Sequence, residues 1–119
     1  MALALHMDNI NARIFVLLGD GELHEGTNWE AAMGAAHHKL DKLTAVLDYN
    51  KCSMDGPINE VMSLEPIEDK WRSFGWNVIR IDGHNMEDIL KAFQKADTQS
   101  GPTMIIADTV KGKGMPFAE

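Results

Sequence analysis

Cysteine is almost missing from this chain: Cys52 stands alone in 119 residues. That excludes an intrachain disulfide and a cysteine-built zinc site, and it fits a reducing compartment. Positive charge is short as well, with 11 Lys and Arg against 18 Asp and Glu, a net charge of −7. No cationic footprint is left for nucleic acid or an anionic membrane. No apolar run approaches the roughly 20 residues of a membrane span. The opening "MALALHM" lacks a cationic n-region and is too short for a signal peptide. Internal repeats and low-complexity tracts are missing too. These absences lead to the expectation of a cytoplasmic protein with neither nucleic acid nor membrane as a partner. What remains, 45% hydrophobic and 24% charged, suits one globular domain over 1–119 with a single core.

Four apolar runs rich in β-branched residues recur: "RIFVLLGD" (13–20), "LTAVLDYN" (43–50), "WNVIRID" (76–82) and "TMIIADTV" (103–110). They are near-continuous rather than alternating, the pattern of strands covered on both faces. Helical spacing separates them. Residues 28–40 carry Trp29, Ala32, Met33, Ala36 and Leu40, and Thr27 with Glu30 has capping-box spacing. Residues 64–74 carry Ile67, Trp71 and Phe74, with Pro66 in the first turn and Gly75 as a stop. Residues 86–96 carry Met86, Ile89, Leu90, Phe93 and Ala96 behind Asn85 as N-cap. The methionines and tryptophans stand at core spacing and read as packing. Strands alternating with such helices predict βαβ units, hence an α/β fold: a three-layer α/β/α sandwich around a parallel sheet. Residues 51–63 form the longest irregular stretch, directly after a strand. Residues 1–8 read as the tail of a helix and "KGKGMPFAE" as a loop, so the domain is expected to be incomplete at both ends.

Open α/β sheets bind ligands beyond the carboxyl ends of their strands. Those ends carry Asp20, then Asp48 and Asn50, then Asp82 and His84, then Asp108 with Lys111 following. Oxygen ligands on adjacent strand ends suit a hard cation such as Mg²⁺, which takes one or two carboxylates together with phosphate oxygens and water. Gly19 and Gly21 allow a phosphate close to the backbone. Alone, Gly-Asp-Gly is an ordinary turn and Asn50 an ordinary cap. Asp20 and Asn50 thirty positions and one crossover apart are far more specific. His37 and His38 read as surface residues late in a helix, His84 as part of a turn, and His24 receives no role.

The Gly-Asp-Gly followed by Asn resembles the thiamine diphosphate motif. Together with "LLGDGELHEGTNWEAA", "HHKLDKL", "LDYNKC", "FGWNVIRIDGHN" and "KGKG", it resembles the diphosphate-binding domain of transketolase, especially the amino-terminal subunit of two-gene transketolases. The resemblance implies thiamine diphosphate and Mg²⁺ as cofactors, and transfer of a two-carbon ketol unit between sugar phosphates. It implies that Asp20, Asn50 and the backbone carbonyl of Cys52 hold the metal, and that Asp20, Gly21, Asn50 and Lys111 line the cofactor. Glu25 and Glu30 fall on family glutamates of a hydrogen-bonded relay across a dimer interface; a solvated first-turn acid and a cap are their plainer readings. The glutamate that acts on the aminopyrimidine belongs to a pyrimidine domain, so no catalytic residue is expected in this chain and the chain alone is expected to be inactive. A second copy of the chain and a pyrimidine-domain subunit are the expected partners. The resemblance also implies the strand order 1-2-4-3, which leaves "RIFVLLGD" as an apolar edge open to pairing. A deoxyxylulose-phosphate synthase-like enzyme and a non-catalytic remnant or assembly module are the alternatives.

Overall fold

The computed structural model describes residues 1–119. Four parallel strands make the sheet: β1 (Ile14–Gly19), β2 (Leu43–Tyr49), β5 (Asn77–Asp82) and β6 (Thr103–Asp108). Their order is β1-β2-β6-β5, the expected 1-2-4-3. Registers such as Gly19 with Asp48 and Tyr49 with Asp108 bring all four carboxyl ends to one rim.

Two layers of helix flank the sheet, as an α/β/α sandwich requires. On one face α2 (Gly26–His37), α3 (Ile58–Met62) and α4 (Ile67–Ser73) close a core with Leu47, Tyr49, Met104 and Ile106 of the two central strands. Its centre is aromatic: Trp71 lies 5.0 Å from both Trp29 and Trp76, ring centre to ring centre. Each ring at its rim anchors a backbone carbonyl, Trp76 Nε1 donating to Ala32 O and Trp29 Nε1 to Leu23 O. On the other face α5 (Met86–Ala96) covers β5 and β6, and Phe93 meets Phe15 edge-on. Asn85 caps α5 as expected, its side-chain oxygen accepting from the N–H groups of Glu87 and Asp88. The short α1 (Ala2–Met7) buries no residue fully.

The structure corrects several expectations. Only β2 and β6 are covered on both faces; β1 has a single neighbour strand, and Phe15, Val16 and Leu17 stay exposed, Leu17 by 72%. The helix expected at 28–40 begins at Gly26 and ends at His37, because Lys39 turns left-handed (φ +50°) and Leu40 folds back under it. Thr27 and Glu30 make no capping box: residues 20–24 are wound into a 3₁₀ turn, which moves the N-cap back to Glu25. Only half of such a pairing occurs, at the preceding 3₁₀ turn, where Gly19 N–H donates to Glu22 Oε2 at 2.6 Å and glycine has no side chain to return the bond. Helix α4 starts at Ile67, so Pro66 is its N-cap rather than part of its first turn, and Gly75 (φ +88°) stops it as expected. Residues 51–63 are not irregular. They form the hairpin β3 (Cys52–Ser53) and β4 (Gly56–Pro57) and then α3, held because Ile58 is fully buried. Of the methionines only Met104 is buried, whereas Trp71 and Trp76 pack as expected.

Candidate functional site

Asp20 opens the 3₁₀ turn Asp20–His24 at the end of β1, and it is the one carboxylate removed from solvent, 1% exposed. The turn is pinned on several sides. Leu23 enters the core, Asn28 Nδ2 donates to Glu22 O at 2.7 Å, and His24 Nε2 lies 2.8 Å from Met62 O. So placed, Asp20 Oδ2 accepts the backbone N–H of Lys51 at 2.6 Å, a bond that ties the end of β1 to the loop after β2. No hydrogen bond falls on Asp20 Oδ1. A buried carboxylate with one oxygen free retains strong acceptor capacity.

Asn50 stands beside it at the end of β2. Its Nδ2 donates to Asp48 Oδ2 at 3.1 Å and its Oδ1 accepts from Cys52 N–H at 3.0 Å, two bonds that together fix which way the amide points. Asp48 is braced in turn, because Thr109 Oγ1 on the chain leaving β6 donates to Asp48 Oδ1. Asn50 Oδ1 keeps a second lone pair. Supporting contacts of this kind orient the ligands of metal sites. Cys52 begins the hairpin and is half-buried, with Lys111 Nζ 4.0 Å from its sulfur. Gly21 packs against the same hairpin: a methyl group there would lie 3.5 Å from Ser53 Cβ, an ordinary contact, so packing does not demand glycine.

The structure therefore gathers Asp20, Gly21, Asn50, Cys52 and Lys111 at the ends of β1, β2 and β6. Glu25 and Glu30 are not part of that cluster. Both are exposed, Glu25 as N-cap of α2 and Glu30 on its outer surface. Asp82 and His84 also stand apart. Asp82 Oδ1 accepts from the backbone N–H of His84, closing the turn after β5, and His84 Nε2 accepts from Val110 N–H at 2.8 Å. His84 thus shapes its turn as expected, and His37 and His38 lie exposed as expected.

Lys51, Arg80 and the Tyr49–Glu65 pair had no individual sequence signal. Lys51 has φ +64°, a left-handed conformation that costs a non-glycine residue about 1–2 kcal/mol. Its N–H bond to a carboxylate contributes about 1.5–3 kcal/mol and offsets that cost. Arg80 grips Asp108 through Nε and Nη2 at 2.7 and 2.8 Å, which holds the Asp108 carboxyl below its ordinary range. Tyr49 O–H donates to Glu65 at 2.6 Å. Burial, with that bond, pushes the Tyr49 phenol above its ordinary range, and the same bond lowers the Glu65 carboxyl.

No three His, Cys, Asp or Glu side chains converge on one point. A cation held at this rim would rest on oxygen alone: one carboxylate, one amide and backbone carbonyls. That donor set suits a hard ion still carrying phosphate oxygens and water, and not zinc or copper.

The family described as "Transketolase, thiamine diphosphate binding domain" matches residues 5–119. The 6-deoxy-6-sulfo-D-fructose transketolase subunit SqwG of Clostridium sp. (strain MSTE9) is 51% identical over the whole chain, which covers 44% of that protein. An apulose-4-phosphate transketolase subunit of Phocaeicola vulgatus is 44% identical, again over the whole chain and 43% of the relative. The crystal structure of transketolase from Campylobacter jejuni superposes with a TM-score of 0.83 at 34% identity, over 91% of this chain and 17% of that one. The chain thus spans less than half the length of the curated relatives it matches. With the family motif on one rim of a transketolase-like sheet, the chain belongs to the transketolase family, in its thiamine diphosphate-binding domain.

Proposed function

We propose that this chain supplies the diphosphate and Mg²⁺ side of an enzyme that moves a two-carbon ketol unit between sugar phosphates. The single observation that carries the reading is the buried Asp20, with one oxygen bonded and one free, beside an Asn50 whose amide is fixed from two directions. Asp20, Asn50 and the backbone carbonyl of Cys52 would hold the metal. Gly21, whose missing side chain packing does not require, leaves room for the diphosphate, and Lys111 offsets its charge. Thiamine diphosphate, when bound, supplies the carbon that carries the ketol unit; the chain's part is to bind and orient it.

The aminopyrimidine end is served by a different domain, carried on a partner subunit of the pyrimidine type. The relatives named as transketolase subunits favour that arrangement. Glu25 and Glu30, exposed on α2, belong to the surface such assemblies bury. The open edge of β1 favours self-association. A cytoplasmic location accords with the single cysteine.

Isothermal titration tests the reading. Thiamine diphosphate should give heat only with Mg²⁺ present, and the chain by itself should give no ketol transfer. Heat independent of Mg²⁺, or steady turnover that survives Asp20→Ala, would overturn it.

A further inference from the structure

Lys51, between Asn50 and Cys52 of the strand-end cluster, is held in the left-handed region. An L side chain persists there when its surroundings over-determine it. Lysine has no side-chain acceptor with which to satisfy its own backbone, so other groups must do so. Its N–H is taken by Asp20 and its carbonyl accepts from Ile58 N–H at 2.9 Å. Its ammonium lies 3.7 Å from Asp108 Oδ1 and 5.6 Å from the centre of the Tyr49 ring. Asp108 cannot swing away, because the two N–H groups of Arg80 grip it and Arg80 itself lies over the same Tyr49 ring at 5.5 Å. The cofactor reading uses none of these four side chains.

We infer that Lys51 is a positioning residue. Asp108 and Tyr49 clamp its ammonium, the clamp holds the left-handed turn, and the N–H of that turn fixes Asp20 with Oδ1 left for the cation. The role toward the cation rests on the cofactor reading; the clamp itself does not. Since Lys51 reaches Asp20 through its backbone, conformation is what the clamp supplies. Glycine adopts that conformation without help. The clamp should therefore matter with lysine at position 51 and cease to matter with glycine there.

Amide hydrogen exchange on the ¹⁵N-labelled 119-residue chain, without metal, reads this directly. Asp108→Asn should speed exchange of the residue 51 amide about two- to fivefold, the size of a partly exposed ion pair, while Leu47 and Ile106 in the central strands keep their rates. Lys51→Arg should keep the amide protected, since a cation stays within reach of Asp108. Lys51→Gly should also keep it protected, and Asp108→Asn added to Lys51→Gly should change nothing further. If Asp108→Asn unfolds the chain by stranding Arg80, Lys51→Met makes the same test with the Arg80–Asp108 pair intact. An unchanged amide in both single variants, or equal acceleration on the glycine background, would overturn the clamp. Titrating the same samples with Mg²⁺ and thiamine diphosphate separates the two ideas. If the wild-type chain shows no resonance shifts at Asp20 and Asn50, the cofactor reading fails while the clamp stands. If affinity is equal in wild type and Asp108→Asn, the clamp has no role toward the cation.

Discussion

The carboxylates at the ends of β1 and β5 look alike in sequence, each closing an apolar strand and each followed by glycine. The fold treats them in opposite ways. Asp20 is buried, gives one oxygen to a backbone N–H and keeps the other. Asp82 is exposed and its oxygen closes its own turn by accepting from His84 N–H. Asp108, at the end of β6 beside β5, is occupied by an arginine. A strand-end carboxylate becomes a candidate ligand only where neighbours orient it without using it up. That condition depends on who the neighbours are, and the strand order decides it.

Exchanging each of the two carboxylates for an amide separates their roles. Asp20→Asn should weaken Mg²⁺-dependent binding of thiamine diphosphate by about a hundredfold or more, since an anionic ligand is lost and nothing nearby replaces it. Titration calorimetry on the two single variants checks this, with Asp82→Asn expected to match wild type. Next comes the brace behind Asn50. Asp48→Ala frees the Asn50 amide and Thr109 together and should cost about tenfold in the same affinity, at the low end for groups that orient metal ligands. Chemical denaturation should show the fold retained.

A smaller effect is expected away from the rim. Tyr49→Phe removes the hydroxyl that donates to Glu65 and should lower stability by about 1 kcal/mol at neutral pH. It should also change the acid side of the stability profile. Because Tyr49 holds the Glu65 carboxyl below its ordinary range, the contribution is fully present above the unfolded carboxyl pKa. It fades as pH falls through the lower folded one. Urea unfolding between about pH 6 and 2.5 should therefore show a shallower acid loss in Tyr49→Phe than in wild type. Smallest of all, Asp82→Asn should shift stability by less than about 0.5 kcal/mol, because an exposed amide oxygen can accept from His84 as the carboxylate does.

The sequence and the structure agree where a long periodic segment has one use. Residues 86–96 with Asn85 before them became α5 with its cap, and the four apolar runs became the four strands. The strand order came from the family resemblance, since nothing in the periodicity of β1 says which neighbour it takes. The alternatives that lost were local ones. Thr27 and Glu30 had capping spacing, but the turn at Asp20–His24 started the helix too early for them to use it. The apolar runs predicted two covered faces for every strand, but the helices cover the faces of β1 only in part and leave Phe15, Val16 and Leu17 exposed. Asp20 and Asn50 were legible because a motif marks them. Lys51, Arg80 and Tyr49 were not, since their roles arise from contacts that only folding creates, such as Tyr49 with Glu65, 16 positions apart, and Arg80 with Asp108, 28 apart.

Replacing Mg²⁺ by Mn²⁺ in the presence of thiamine diphosphate locates the cation itself, because the paramagnetic ion broadens NMR signals of nearby nuclei wherever it binds. Broadening should be strongest at Asp20, Gly21, Asn50 and Cys52, weaker at Asp82 and His84 two strands away on the same rim, and least at the amino-terminal ends of the strands. Broadening centred on Asp82 or Asp108, or a pattern unchanged by Asp20→Asn, would contradict it.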